Sequence, residues 1–217
     1  MTLRWRATLL LVSLTTLLCG CLGGPKNEPN TLRYNLPATV NVPLGQAIAG
    51  TDVVYSEYSP QGARFIIRGQ TALKRTGDSV QWRGAQTPEA DVDLKLRLVH
   101  ANESSARLAG TAELVLTDVH PAIGTPNREA PVHYTGPVTY TVNKGEPLPG
   151  TLLTYEGQTD DGALLGGLHE YPYRLSGDSI YWEGRLNEHA SLKLDVRVVL
   201  YTEQSLHVAG LATIWLH

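Results

Sequence analysis

Six side chains in the second half of the chain are of types that could do chemistry: Asp160, Asp161, His169, Glu170, Glu188 and His189. Carboxylates and imidazoles hold divalent cations and move protons near neutral pH. Their spacing matches no metal-ligand or acid–base motif, and the sequence has no Gly-x-Ser-x-Gly elbow, HExxH pair or phosphate-cradling glycine loop. Surface loops commonly carry such residues, and the positions 100 residues earlier hold Pro60, Gln61, Gly69, Gln70, Pro88 and Glu89. An enzyme built on them would use loops of the second half alone. Cysteine, the other reactive type, occurs only at Cys19 and Cys21. The sequence after Cys21 therefore has no disulfide, thiolate metal site or cysteine nucleophile.

The surroundings of those cysteines have the layout of an export signal. Arg4 and Arg6 precede an uncharged apolar stretch from Ala7 to Leu18, too short for a bilayer-spanning helix of about 20 residues. Leu18-Cys19-Gly20-Cys21 then resembles the lipobox of bacterial lipoproteins, with an aliphatic residue three places before the lipid-bearing cysteine and a small residue just before it. The resemblance implies that residues 1–20 are a removable signal peptide and that Cys21 receives the lipid, a palmitate-type modification with at least two acyl chains. Two chains anchor stably where one is marginal. The covalent lipid is the only cofactor implied. A plain secretory leader, or a Cys19–Cys21 disulfide, is the alternative reading. Residues 21–31 read as the lipidated cysteine and a polar Gly/Pro tether that reaches at most about 35 Å. This places the rest of the chain in the cell envelope, outside the cytoplasm and near a membrane.

That remainder is one unit written twice. Aligned at an offset of 100 without a gap, residues 34–116 and 134–216 share 25 of 83 positions, where unrelated sequences would share roughly 5. The shared residues include Tyr34/Tyr134, Tyr55/Tyr155, Trp82/Trp182, Arg97/Arg197 and the Gly-Asp-Ser turns at 77–79 and 177–179. In the first copy Val92, Leu94, Leu96 and Leu98 alternate with Asp91, Asp93, Lys95 and Arg97; Leu192, Leu194, Val196 and Val198 repeat the pattern. Period two in the same register twice is a half-buried strand. No stretch of ten or more residues has helical spacing. The expected fold is all-β: tandem antiparallel β-sandwiches or small barrels of six or seven strands, at 32–117 and 132–217, joined by a proline-bearing linker at 118–131. Trp82 and Trp182 share the inward parity of Val80 and Ile180 and are expected in the core. Asp78/Asp178 should bond their own turns, and Arg97/Arg197 should pair with a neighbouring carboxylate.

The copies differ on the opposite face. Where the first has Gln81, Ala101, Thr111 and Val115, the second has Tyr181, Tyr201, Leu211 and Trp215. Aromatic residues replacing small or polar ones suggest a binding surface; the alternatives are packing against the first copy and a bulge at Gly210 that reverses the parity. Charge excludes one partner class. Removing Arg4 and Arg6 leaves 18 − 2 = 16 basic against 21 acidic residues, with no basic stripe for nucleic acid. The leading expectation is a non-enzymatic envelope lipoprotein that binds or assembles with an envelope protein, glycan or lipid. The alternatives are a carrier or chaperone of a lipid or apolar chain and, less favoured, an enzyme using the second-copy loops.

Overall fold

The computed structural model describes residues 30–217; the expected signal peptide, Cys21 and most of the expected tether lie outside the described residues. The chain forms β1 (Leu32–Pro43), β2 (Val54–Ser59), β3 (Gly62–Ile67), β4 (Gln70–Lys74), β5 (Ser79–Thr87), β6 (Ala90–Ala101), β7 (Ser105–Leu116), β8 (Ala122–Ile123), β9 (Val132–Asn143), β10 (Thr154–Thr159), β11 (Gly162–Gly166), β12 (Tyr173–Arg174), β13 (Ser179–Arg185), β14 (Ala190–Tyr201) and β15 (Ser205–Leu216). The fold is all-β, and every strand pair is antiparallel.

Each half has a large sheet and a small one. The first half has β1-β7-β6-β5 and β2-β3-β4; the second has β8-β13-β14-β15-β9 and β10-β11-β12. The registers also correspond: Leu32 opposes Leu116 and Val132 opposes Leu216. Alternation along β6 and β14 puts Leu94, Leu96, Leu194 and Val196 inside, as the period-two pattern requires. Tyr55, Phe65 and Tyr155 are wholly buried, and each tyrosine spends its hydroxyl on a backbone carbonyl: Tyr55 donates to Asn102 O at 2.8 Å and Tyr155 to Thr202 O.

Trp82 and Trp182 are buried. Trp82 Nε1–H donates to Asp52 Oδ1 at 2.8 Å, whereas the position equivalent to Asp52 is Leu152. Asp78 and Asp178 accept the N–H of Arg75 and Leu175 and close their turns. Arg97 and Arg197 behave differently from the expectation: each donates Nη1–H to the turn carbonyl of Gly77 or Gly177. A backbone carbonyl oxygen is a competent acceptor for a guanidinium N–H, and these lie within reach at 2.8 and 2.9 Å. Gly110 and Gly210 are inside continuous registers, with no bulge. A Cβ there would lie 2.0 Å from Lys95 O or 2.2 Å from Asp195 O, which is why both copies keep glycine.

The linker is structured. Ala122 and Ile123 add a short strand to the edge of β13, and Val119 is buried.

Candidate functional site

The halves meet along β1 and β9. Tyr34 faces Tyr140, and a Cβ on Gly136 would sit 2.5 Å from Pro37 Cδ, so the two strands pass each other in opposite directions. Leu32 reaches across to Gly150, where a Cβ would lie 3.0 Å from Leu32 Cδ1. Polar groups cross as well. The Tyr134 hydroxyl donates to Gln86 Oε1 at 3.0 Å, Asn187 Nδ2–H donates to Thr117 O at 3.0 Å, and His189 Nδ1 lies 2.7 Å from Glu89 Oε2. The buried apolar residues of both halves form one continuous cluster.

The junction is not symmetric. Tyr34 and Tyr140 fill one side; neither buried hydroxyl is aligned for a hydrogen bond. Burial pushes the Tyr34 phenol well above its ordinary range, with Tyr140 adding to it. The reciprocal contact would set Tyr134 against position 40, which is valine. A cleft of about 670 Å³ opens there, with Val40, Ile48, Leu94, Val132, His133 and Tyr134 in its walls. Its size is that of a small-ligand pocket, roughly 300–1,000 Å³. Burial raises Tyr134 to about 12, so its hydroxyl stays protonated and remains a donor at neutral pH.

The outer face of the second large sheet divides the residues singled out above. Tyr181, Asp195, Leu211 and Pro137 form one row across β13, β14, β15 and β9. Tyr181 and Leu211 are about half exposed, at 49% and 51%, with the Lys193 ammonium 5.4 Å from the Tyr181 ring centre. Tyr201 is partly buried against the core. Trp215 is only 8% exposed. It lies outside the apolar core cluster, on the sheet face that the linker has to cross. β8 lies at one edge of the sheet and β9 at the other, so residues 124–131 have to cross from edge to edge. Arg128 Nη2 donates to Glu183 Oε1 at 2.8 Å on the outer face. Pro126 and Ala130 of this strap are buried, as is Ser191, the cross-strand partner of Trp215. The exposed surface on this face is therefore Tyr181 and Leu211 without Trp215 and Tyr201.

The second-copy acids and histidines are not brought together. Asp160 and Asp161 occupy the β10–β11 turn, Glu170 bonds Arg174, and His189 pairs with Glu89 at the junction. Among the described residues no three His, Cys, Asp or Glu side chains are grouped to hold a metal ion. Sequence reasoning missed Val40 and Gln86, although one signal was present: position 40 is the only place on β1 where an interior valine faces a tyrosine in the sister copy. No family model matches the chain, and no curated protein or solved structure matches it either.

Proposed function

We propose that the chain is a non-enzymatic, lipid-anchored binding module of the cell envelope, attached through Cys21, that receives its ligand in the junction cleft beside Val40. The observation that carries this reading is the asymmetry of the junction: the same contact is filled by Tyr140 on one side and left open by Val40 on the other. A lining that combines apolar Val40, Ile48 and Leu94 with polar Gln46 and His133 suits a ligand with an apolar body and a polar end. The interior between the two sheets of each half is occupied by Tyr55, Phe65 and Tyr155, so the carrier reading draws on this same cleft. A partner protein is the second reading, favoured by the exposed Tyr181–Leu211 row.

The test is co-sedimentation of the chain with separated cell-wall glycan, lipid vesicles and membrane proteins, using wild type, Val40→Tyr and a Tyr181→Ala/Leu211→Ala double variant. Binding to one fraction that is lost in Val40→Tyr and kept in the double variant supports the cleft. Loss in the double variant alone moves the site to the outer face. Reproducible hydrolytic activity abolished by His169→Ala or Glu170→Ala would overturn the non-enzymatic reading.

A further inference from the structure

One wall of the cleft beside Val40 is main chain. β1 is the outermost strand of its sheet and pairs with β7 on one side only. In an antiparallel ladder alternate residues turn both N–H and C=O toward the partner strand, and the residues between them turn both away. Leu44, just past the end of β1, donates its N–H to Ser104 O at 2.9 Å on the β7 side. The unbroken register then directs Val42, Val40 and Ala38 to β7, and Pro43, Asn41, Thr39 and Pro37 to the open edge. The prolines agree with this parity, because neither has an N–H to give to a ladder. Pro43 O accepts the N–H of Gln46 at 3.0 Å, and Pro37 abuts β9 at Gly136, so both ends of the edge are closed. Between them Thr39 and Asn41 are exposed and line the cleft. Among the described residues their edge-facing N–H and C=O groups have no partner.

We infer that the cleft takes an extended, uncharged peptide segment of a partner protein, which adds to the edge of β1 at Thr39 and Asn41 and sets one apolar side chain beside Val40. This rests on the proposed function, in which the cleft is the ligand site, and names the ligand's class. Two N–H/C=O pairs one residue apart recur at about 6.8 Å along a strand, the interval at which a second strand presents its own. Main-chain pairing of this kind supplies affinity, and a pocket for an alternate side chain supplies specificity. A fatty acid has a single polar end and would leave most of the four groups unmatched. The guest residue opposite Val40 shares its face of the sheet, which puts its side chain among Val40, Ile48 and Leu94. The cleft is lined by no Asp, Glu, Lys or Arg, so a charge there would lose water without gaining a partner. In the second copy the same parity gives Thr139 and Thr141 to the edge of β9. There Tyr140 fills the space against Tyr34, and the Glu146 carboxylate accepts the Asn143 N–H at 3.3 Å. The first copy joins an open edge to a cleft.

The experiment pans the full chain, kept in mild detergent, against a random heptapeptide library displayed on phage. An enriched peptide is then synthesised with capped ends and a fluorophore for anisotropy titration. Enriched sequences should share one aliphatic or aromatic residue flanked by uncharged ones. Thr39→Pro deletes an edge N–H and puts a ring where the guest backbone would lie, and should weaken binding by about tenfold or more. Val40→Tyr should abolish binding, and Thr139→Pro, the same change on β9, should leave it unaltered. A second readout keeps the protein intact. N-methylating the peptide at its odd positions and then at its even ones should weaken binding in one set and spare the other, because alternate amides of a strand face β1. No enriched peptide, equal loss from both methylated sets, or binding indifferent to Thr39→Pro overturns the strand inference. A fluorescent fatty acid separates this failure from that of the cleft. Its uptake, lost in Val40→Tyr but kept in Thr39→Pro, would overturn the peptide and leave the cleft as the ligand site, whereas peptide binding that survives Val40→Tyr would overturn both.

Discussion

The two outer faces of the large sheets are built on the same strand order but end differently. On the second, Trp215 and Ser191 are buried on the face that the 124–131 strap has to cross; on the first, the equivalent Val115 and Asp91 are half-buried and exposed. The junction shows the same kind of difference, with Tyr140 filling one side and Val40 leaving the other open. Repetition fixed the frame of each half, and single substitutions where the frame meets something else decided which surfaces stay open. The features that distinguish the halves are therefore at contacts between segments, not in the repeated strands.

The sharpest way to break the comparison is to separate its members. Residues 32–117 and 132–217 share one apolar cluster, and either alone would expose side chains such as Leu32 or Val132 that the other half covers. Neither is expected to unfold cooperatively when expressed by itself, whereas the whole chain should melt in one transition by circular dichroism. Two fragments that each melt sharply near the midpoint of the whole would show that the shared core contributes little. Next in size, Trp182→Ala should cost about 3–5 kcal/mol in a urea titration, as for other buried large-to-small changes. Trp82→Ala should cost at least as much, because it also removes the partner of Asp52.

Much of this fold was legible in the sequence because each strand could be read twice. The inward positions of β6 and β14 were unambiguous only because Val92 and Leu192, and Leu94 and Leu194, agree in parity. Strands as short as Ala122–Ile123 and Tyr173–Arg174 carry no period and left no signal. Parity also placed Trp215 correctly on the face away from the core, but outward meant wet only until the linker crossed it. Which segment covers a face depends on contacts between distant parts of the chain, and composition does not report them. The aromatic asymmetry was visible at Tyr181 and Trp215; the valine at position 40, which shapes the cleft, is an ordinary strand residue and drew no notice.

A smaller effect separates the two repeated tyrosines. Tyr134→Phe leaves Gln86 Oε1 without its donor and should cost about 1 kcal/mol. Tyr34→Phe removes a buried hydroxyl that has no aligned partner and should be neutral or stabilising. The Tyr134 phenol also gives a pH dependence. Burial raises it to about 12 in the folded chain, against about 10 when unfolded. The folded state then binds more protons between those values, so stability is full below about pH 10 and falls as pH rises toward 12. Tyr134→Phe should flatten that decline in denaturation midpoints measured from pH 9 to 12, and an unaltered slope would show that the phenol does not contribute.

The junction asymmetry is tested most directly by the thermal midpoint of Val40→Tyr. If the side facing Tyr134 is vacant in the way the side facing Tyr34 is filled, the new ring enters open space and the midpoint stays level or rises. A fall matching the roughly 1–3 kcal/mol typical of overpacking would mean that the space beside Val40 is not available to a ring, and the cleft would no longer stand as the ligand site.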